Sequence, residues 1–191
     1  YLDFEEPFVV DHNFKIGRTE LTEEIYCTVL GLEESDDRRC RDNYPVALKL
    51  SQADTLLEVL SFQMGTSCDV TFENCTNIYR IPTLTEWRYA ASAKQHYYYA
   101  GSHNPYDVAW IDEGGMPIGM KEPNTWGLYD MSGNIGEWVD TLGRQEYQYQ
   151  AAGKSSVRSI TNDYWHSNSN VDGIRLVYDI QSTHIISWHQ E

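Results

Sequence analysis

The stretch that most restricts how this chain can fold is NTWGLYDMSGNIGEWVD, residues 124–140, where three glycines, three acids and two tryptophans share one short segment. Glycine adopts backbone angles that other residues resist, so MSGN (131–134) reads as a sharp turn. Asp130 and Glu137 flank that turn and could face each other across it. So much bulk beside so many turn residues leaves two readings: a structural corner fixed by its aromatics, or a loop that holds a ligand.

The rest of the chain narrows the choice. At 191 residues, 41% of them hydrophobic and 13% aromatic, it has the material for one packed core, and a single domain over 1–191 is expected. No run is long enough to cross a bilayer, and no basic-then-apolar segment resembles a signal peptide. The net charge of −15 argues against nucleic acid as a partner, because phosphate binding needs clustered Lys and Arg, and those residues are scattered. The acidic run LEESDD reads as a solvated loop. Cys27, Cys40, Cys68 and Cys75 all lie in the first half, with no CxxC and no His at zinc-finger spacing, which speaks against structural zinc. Cys68 and Cys75 bracket DVTFEN as a small stapled loop. A disulfide fits an extracellular, cell-surface or virion setting, whereas cysteine count alone fits buried thiols in a reducing compartment equally well.

Periodicity places helices early and irregular strands late. Residues 8–19 look like a strand or hairpin entry. A helix is expected from Thr22, with Ile25, Tyr26, Val29 and Leu30 on one face and Gly31 ending it. A second reads from Ser51, which pairs with Asp54 as a variant capping box, and buries Ala53, Leu56, Leu57 and Leu60 before Gly65. A third begins at Thr83: its hydroxyl caps, Glu86 reaches back, and Trp87, Ala90 and Ala91 line the inner side. Glu86 is therefore a capping residue before it is a catalytic one. Beyond residue 95 turns, tyrosines and short apolar pieces such as IRLVY take over, giving an α+β architecture.

FKIGRTELTEEIY, YPVALKLSQADTLLEVL, YRIPTLTEWRYAASA, NTWGLYDMSGNIGEWVD and DGIRLV follow one another in the order of the formylglycine-generating, sulfatase-modifying family. The resemblance spans roughly residues 14–177 and implies a C-type lectin fold. YRIPTLTEW departs from the family block by Leu84 where a Glu usually stands, and GNIGEW by Gly136 where an aromatic does. Calcium-binding members wrap an ion at this corner. Carried over by position, Asp130 and Glu137 would give side chains and Gly133 and Ile135 carbonyl oxygens, a mixed oxygen set of the kind calcium takes. The alternative is that Asp130 and Glu137 only accept hydrogen bonds that stiffen the corner. Calcium is thus a possible ligand, and no cofactor is required.

The family's oxidase chemistry resembles copper–thiol chemistry, built on two cysteines near the C-terminus, and no cysteine follows Cys75. Related iron-dependent sulfoxide synthases use a His-rich site, whereas His12, His96, His103, His166, His184 and His189 are scattered. No Ser–His or Cys–His constellation stands out. The expectation is a non-enzymatic protein, with a divergent metal-dependent enzyme or a structural tail-fibre domain as alternatives.

The closing block is preceded by residues rich in Ser, Asn, Tyr, Trp and His. Tyr and Trp give large contact area at low entropy cost, and Ser and Asn adapt their hydrogen bonds. By composition and place this resembles the variable regions of diversity-generating retroelement proteins, which use the same fold. It implies a binding surface of Arg158, Thr161, Asn162, Asp163, Tyr164, Trp165, His166, Asn168 and Asn170, flanked by Tyr147 and Tyr149 on a strand. The partner would be a protein or glycan, and the source a phage, virus or prokaryote. An ordinary polar loop is the competing reading. Trp87, Trp110, Trp126 and Trp138 are assigned to the core, and Tyr97 to Tyr99 divide between core and surface.

Overall fold

The computed structural model describes residues 10–35, 39–63, 79–111, 115–140 and 172–179, together with the backbone of 149–152. The architecture is the α+β C-type lectin fold that the sequence implies. Its first and last described strands meet. β7 (Val177–Asp179) runs between β1 (Phe14–Ile16) and β2 (Tyr79–Arg80), antiparallel to both, with Ile16 and Arg80 opposite Val177. The closing block DGIRLV therefore ties the beginning of the described chain to its middle.

Helix α1 (Glu23–Leu30) starts and stops as its sequence dictates. Thr22 caps it by accepting from the Ile25 amide, and Gly31, at φ +63°, turns its own amide back onto the carbonyls of Cys27 and Thr28. Its inner face differs from expectation. Cys27 is buried, Tyr26, Val29 and Leu30 pack on the core, and Ile25 faces outward. The reason is covalent: Cys27 is bonded to Cys40, which turns that face of the helix inward. Helix α2 (Leu50–Gln63) begins before Ser51, and the Ser51–Asp54 box is replaced by Gln52, whose Oε1 accepts from the Lys49 amide. In α3 (Leu84–Ser92) the expected box is present, with Thr83 Oγ1 accepting from the Glu86 amide and Glu86 from that of Thr83. The tyrosine-rich stretch holds one short helix, α4 (Pro105–Val108), started by an Asn104 cap and a proline in its first turn.

Two apolar clusters flank strand β5 (Glu137–Asp140). One gathers Leu21, Val46, Leu48, Ala53, Leu56, Ile81 and Ile174, and the other Trp87, Ala90, Ala91, Ala100, Leu128, Met131 and Val139. Alternation along a strand sends successive side chains to opposite faces. Val139 thus enters the second cluster, while Trp138 packs on the first and donates Nε1 to the Leu48 carbonyl at 2.9 Å. Not every tryptophan is core: Trp126 is 44% exposed and lies edge-on against Tyr89. Its neighbour Gly127, at φ +77°, turns the chain there and leaves the indole at the surface.

The MSGN turn brings β4 (Ser132–Gly133) parallel to β3 (Ala109–Trp110), with Gly133 opposite Trp110. A Cβ on Gly133 would stand 2.6 Å from the Trp110 carbonyl oxygen, and its φ is +86°. Gly127 also has positive φ, but nothing lies within 4 Å of its missing Cβ. Gly133→Ala is therefore expected to cost about 3 kcal/mol, and Gly127→Ala about 1 kcal/mol, in urea denaturation. Equal losses would mean that the close approach of backbone does not matter.

Candidate functional site

Strand β5 pairs with described residues on both sides of the sequence-predicted binding segment. β6 (Tyr149–Ala152) pairs antiparallel with it, Ala152 opposite Glu137 and Tyr149 opposite Asp140. On the other side Gly173 bridges Glu137: the Trp138 amide donates to the Gly173 carbonyl at 2.9 Å, and the Gly173 amide to that of Gly136. One residue earlier, Asp172 and Leu48 exchange both backbone hydrogen bonds. The described residues on either side of 153–171, Ala152 and Gly173, thus both stand beside Glu137, one on each side of it. Two strand spacings put these ends about 10 Å apart. Of the expected binding residues, Tyr147, Arg158, Thr161, Asn162, Asp163, Tyr164, Trp165, His166, Asn168 and Asn170 lie outside the described residues. Tyr149 lies in β6 as expected, where its backbone alone is described.

The frame is locked from beneath. Arg175 has no exposed surface, and Glu137 almost none. Arg175 Nε donates to both Glu137 oxygens at 3.0 and 3.1 Å, and Nη2 to Oε1 at 2.7 Å. The remaining donors reach the Gly17 and Tyr129 carbonyls, each at 3.0 Å. Trp87 Nε1 donates to Glu137 Oε2 at 2.6 Å, so helix α3 joins the same carboxylate. Burial opposes the charge on Arg175, but Glu137 beside it holds its pKa up. Glu20 is buried nearby, accepting from Asn134 Nδ2 at 2.8 Å and from the Ile135 amide at 3.4 Å. Burial first, then repulsion from Glu137, push its carboxyl well above the usual range, against the pull of Arg175.

The density of special residues at 124–140 now has an account. Asn124 Nδ2 donates to the last carbonyls of α3, Ala90 at 2.8 Å and Ala91 at 3.2 Å, while its Oδ1 accepts from the Trp126 and Leu128 amides. Asp130 accepts from the Gly119 amide at 2.7 Å. Asn134 exchanges hydrogen bonds with the Met116 backbone and holds Glu20. Asn124 thus ties the corner to α3, while Asp130 and Asn134 hold 116–119 and Asn134 also reaches Glu20.

Asp130, Gly133, Ile135 and Glu137, the set carried over for calcium, do not fit a bound ion as they stand. Both Glu137 oxygens are taken by Arg175 and Trp87, and a full positive charge already occupies the carboxylate. Asp130 Oδ1 is buried with no hydrogen-bond partner among the described residues, and burial raises that carboxyl against the Gly119 amide. A dication at Glu137 would face the guanidinium across a dry interior, where like charges repel strongly.

Sequence reading missed a second charge network. Arg80 forks onto Glu86, Nη1 to Oε2 at 2.7 Å and Nη2 to Oε1 at 2.6 Å, and onto Asp179 at 2.6 and 2.9 Å. His12 Nε2 lies 2.7 Å from Glu86 Oε1. Among the described residues His12, Glu86 and Asp179 form the one group close enough to share a metal, but Arg80 fills the space between their carboxylates. The network joins His12, just before β1, to β2, α3 and β7, whose residues are far apart in sequence. The signal was Arg80 beside the capping block, which sequence alone could not pair with Asp179.

The observed disulfide is Cys27–Cys40, with Cα atoms 5.9 Å apart; Cys68 and Cys75 lie outside the described residues. It closes the acidic loop onto α1, where Arg41 also forks onto Glu23.

Burial alone would raise the Glu86 carboxyl, but Arg80, the Thr83 amide and His12 hold it down to about 2. A carboxyl depressed in the folded state stabilises above its unfolded value of 4.5, and that contribution is lost as pH falls toward about 2. Glu86→Gln is expected to lower stability at pH 7 and to flatten the acid limb of a urea-denaturation series. An acid limb as steep as that of the wild type would remove the assignment.

The comparisons with known proteins agree with this geometry. Residues 6–178 match the family profile of the Sulfatase-modifying factor enzyme 1-like domain. The chaperone protein LppX of Paenibacillus barcinonensis is 38% identical over 93 residues, which cover 36% of this chain and 33% of that protein. The match thus spans about a third of that relative's length. Three solved structures share the fold. CarF superposes with a TM-score of 0.67 at 24% identity, covering 88% of this chain and 87% of that one. Variable protein 1 of Treponema denticola has a TM-score of 0.67 at 18% identity, covering 92% and 90%. PvdO from Pseudomonas aeruginosa has a TM-score of 0.59 at 18% identity, covering 87% and 80%. With its ordered sequence blocks, its Glu137-centred frame and a profile match along nearly its whole described length, the chain belongs to the sulfatase-modifying factor family and has that family's C-type lectin fold.

Proposed function

We propose that this chain is a non-enzymatic binding protein whose C-type lectin scaffold displays residues 153–171 toward a protein or glycan on a target surface. One observation carries the reading: both ends of that segment are hydrogen-bonded beside Glu137, whose own side chain is anchored to a buried arginine. A segment pinned at both ends by a rigid frame tolerates change in its own sequence, as surface loops do. Its composition suits contact, with Tyr164 and Trp165 as anchors and Ser and Asn as adaptable donors and acceptors.

The fold shared with a Treponema protein that bears the name variable protein supports a finer version. In that version the chain is the variable product of a diversity-generating retroelement in a phage, virus or prokaryote, and Tyr147, Tyr149, Arg158 and the residues from Thr161 to Asn170 make its contact face. The Cys27–Cys40 disulfide favours an extracellular, cell-surface or virion location over a reducing cytoplasm. Catalysis of the family's oxidase type is disfavoured because no cysteine follows Cys75.

Glycan arrays and intact bacterial cells are suitable probes. The double variant Tyr164→Ala/Trp165→Ala is expected to bind at least tenfold more weakly than the wild type while melting at the same temperature. Equal binding by the two proteins would overturn the reading. So would stoichiometric copper or iron in the purified protein together with turnover of a thiol substrate.

A further inference from the structure

We propose that the outer side of the 124–130 corner is a docking face for an acidic peptide segment of a partner protein, with Trp126 as its apolar anchor and Arg18 and Lys94 as its charge contacts. The inner side of this corner is spent on structure, through Asn124 and Asp130. The outer side carries a continuous strip of rings and cations. Lys94 Nζ lies 5.8 Å from the centre of the Tyr89 ring, and Tyr89 meets Trp126 at 5.1 Å between ring centres. Beside Trp126, the Gly127 carbonyl accepts from Arg18 Nε at 3.2 Å. The Arg18 guanidinium lies 4.9 Å over the Tyr129 ring and donates to its hydroxyl at 3.1 Å.

Charge sets this strip apart from the rest of the surface. The chain has 29 acids against 14 lysines and arginines, and Arg41, Arg80 and Arg175 each fork onto a carboxylate. Arg18 and Lys94 pair with no carboxylate among the described residues. Two cations left open on so acidic a molecule select an anionic partner. The residue types agree, since Trp, Tyr and Arg carry most of the contact energy in protein interfaces. A single exposed apolar side chain is ordinary, whereas a half-exposed indole backed by a second ring and flanked by cations marks a contact site. The strip is also set before any partner arrives. The Trp126 amide donates to Asn124 Oδ1 at 3.0 Å, the Gly127 amide to the Asn124 carbonyl at 2.8 Å, and the Tyr129 amide to the Arg18 carbonyl at 2.9 Å. A face fixed in advance loses little entropy on binding. Nothing lies within 4 Å of where a Gly127 side chain would begin, so a peptide backbone can approach between indole and guanidinium. A net charge of −15 repels polyphosphates, but a short segment with a few carboxylates engages the local cations within a screening length.

The probe is a rhodamine-labelled peptide with a Phe between two pairs of Glu, titrated with the whole chain and read by fluorescence anisotropy. Saturable binding is expected, weakening at least threefold between about 20 and about 500 mM salt, and the same peptide with Lys in place of Glu is expected not to bind. Trp126→Ala and Arg18→Gln are each expected to bind at least tenfold more weakly. Lys94 makes no hydrogen bond to other described residues, so Lys94→Glu keeps the fold and is expected to bind at least fivefold more weakly, whether or not Arg18→Gln folds. The proposal is overturned if the Glu peptide shows no saturable binding, if the Lys peptide binds as tightly, or if Trp126→Ala and Lys94→Glu bind like the wild type. Tighter binding of oligogalacturonate than of the Glu peptide would also overturn it, by assigning the face to an acidic glycan.

Discussion

Among the described residues, one fully buried ion pair is the interaction on which the rest depends. Arg175 and Glu137 are withdrawn from solvent, and moving two charges into a dry interior is costly unless every donor and acceptor is met. They are met: the carboxylate takes the guanidinium and Trp87, and the guanidinium takes the Gly17 and Tyr129 carbonyls as well. The contacts come from the first strand's exit, from α3, from the glycine-rich corner and from the closing block. Such a pair adds little net stability over an apolar replacement, but breaking one half of it leaves a stranded charge. Its value here is positional, since only one arrangement of these four segments satisfies all the bonds.

A second network does similar service at the opposite edge of β7. Arg80, Glu86 and Asp179 clamp β2, α3 and β7 at the point where the three-stranded sheet ends. Between the two networks, helix α3 is fixed at its start by Glu86, along its length by Trp87 and at its end by Asn124. A helix held at three points is a firm base for β5, whose Val139 packs in the same cluster as Trp87.

How much of this could be read beforehand follows from the range of each interaction. The caps at Thr22, Thr83 and Gly31 are local, and the sequence spelled them out. The same holds for the inward set Trp87, Ala90 and Ala91, whereas Tyr97 and Tyr99 are only half-buried, Tyr98 is exposed, and no strand runs through them. Ser51 failed as a cap because Gln52, one residue on, offers a longer side chain to the preceding amide. Trp126 was assigned to the core by kinship with its block, yet nothing in its spacing tells inside from outside. Arg175 was visible only as one letter of a closing motif. A lone arginine in an apolar run gives no sign of the partner 38 residues earlier in the chain. The Cys27–Cys40 pairing was one of several open to four cysteines. The expected contact residues depend on position and composition, and those are properties of the sequence alone.

The central place of β7 in its sheet has a bearing on how the molecule is made. Neither β1 nor β2 has its neighbour until residues 177–179 have left the ribosome, so both wait until everything between them and the closing block has been made. Pairings so distant in sequence are slow to form. They can form only after residues 153–171, the segment proposed to carry diversity, have been synthesised. Completion of the sheet therefore depends on that segment: a sequence there that kept Gly173 and Arg175 from reaching Glu137 would leave β1 and β2 without their shared partner. Were the segment to vary as proposed, a scaffold arranged in this order would reject unworkable versions before any met a target.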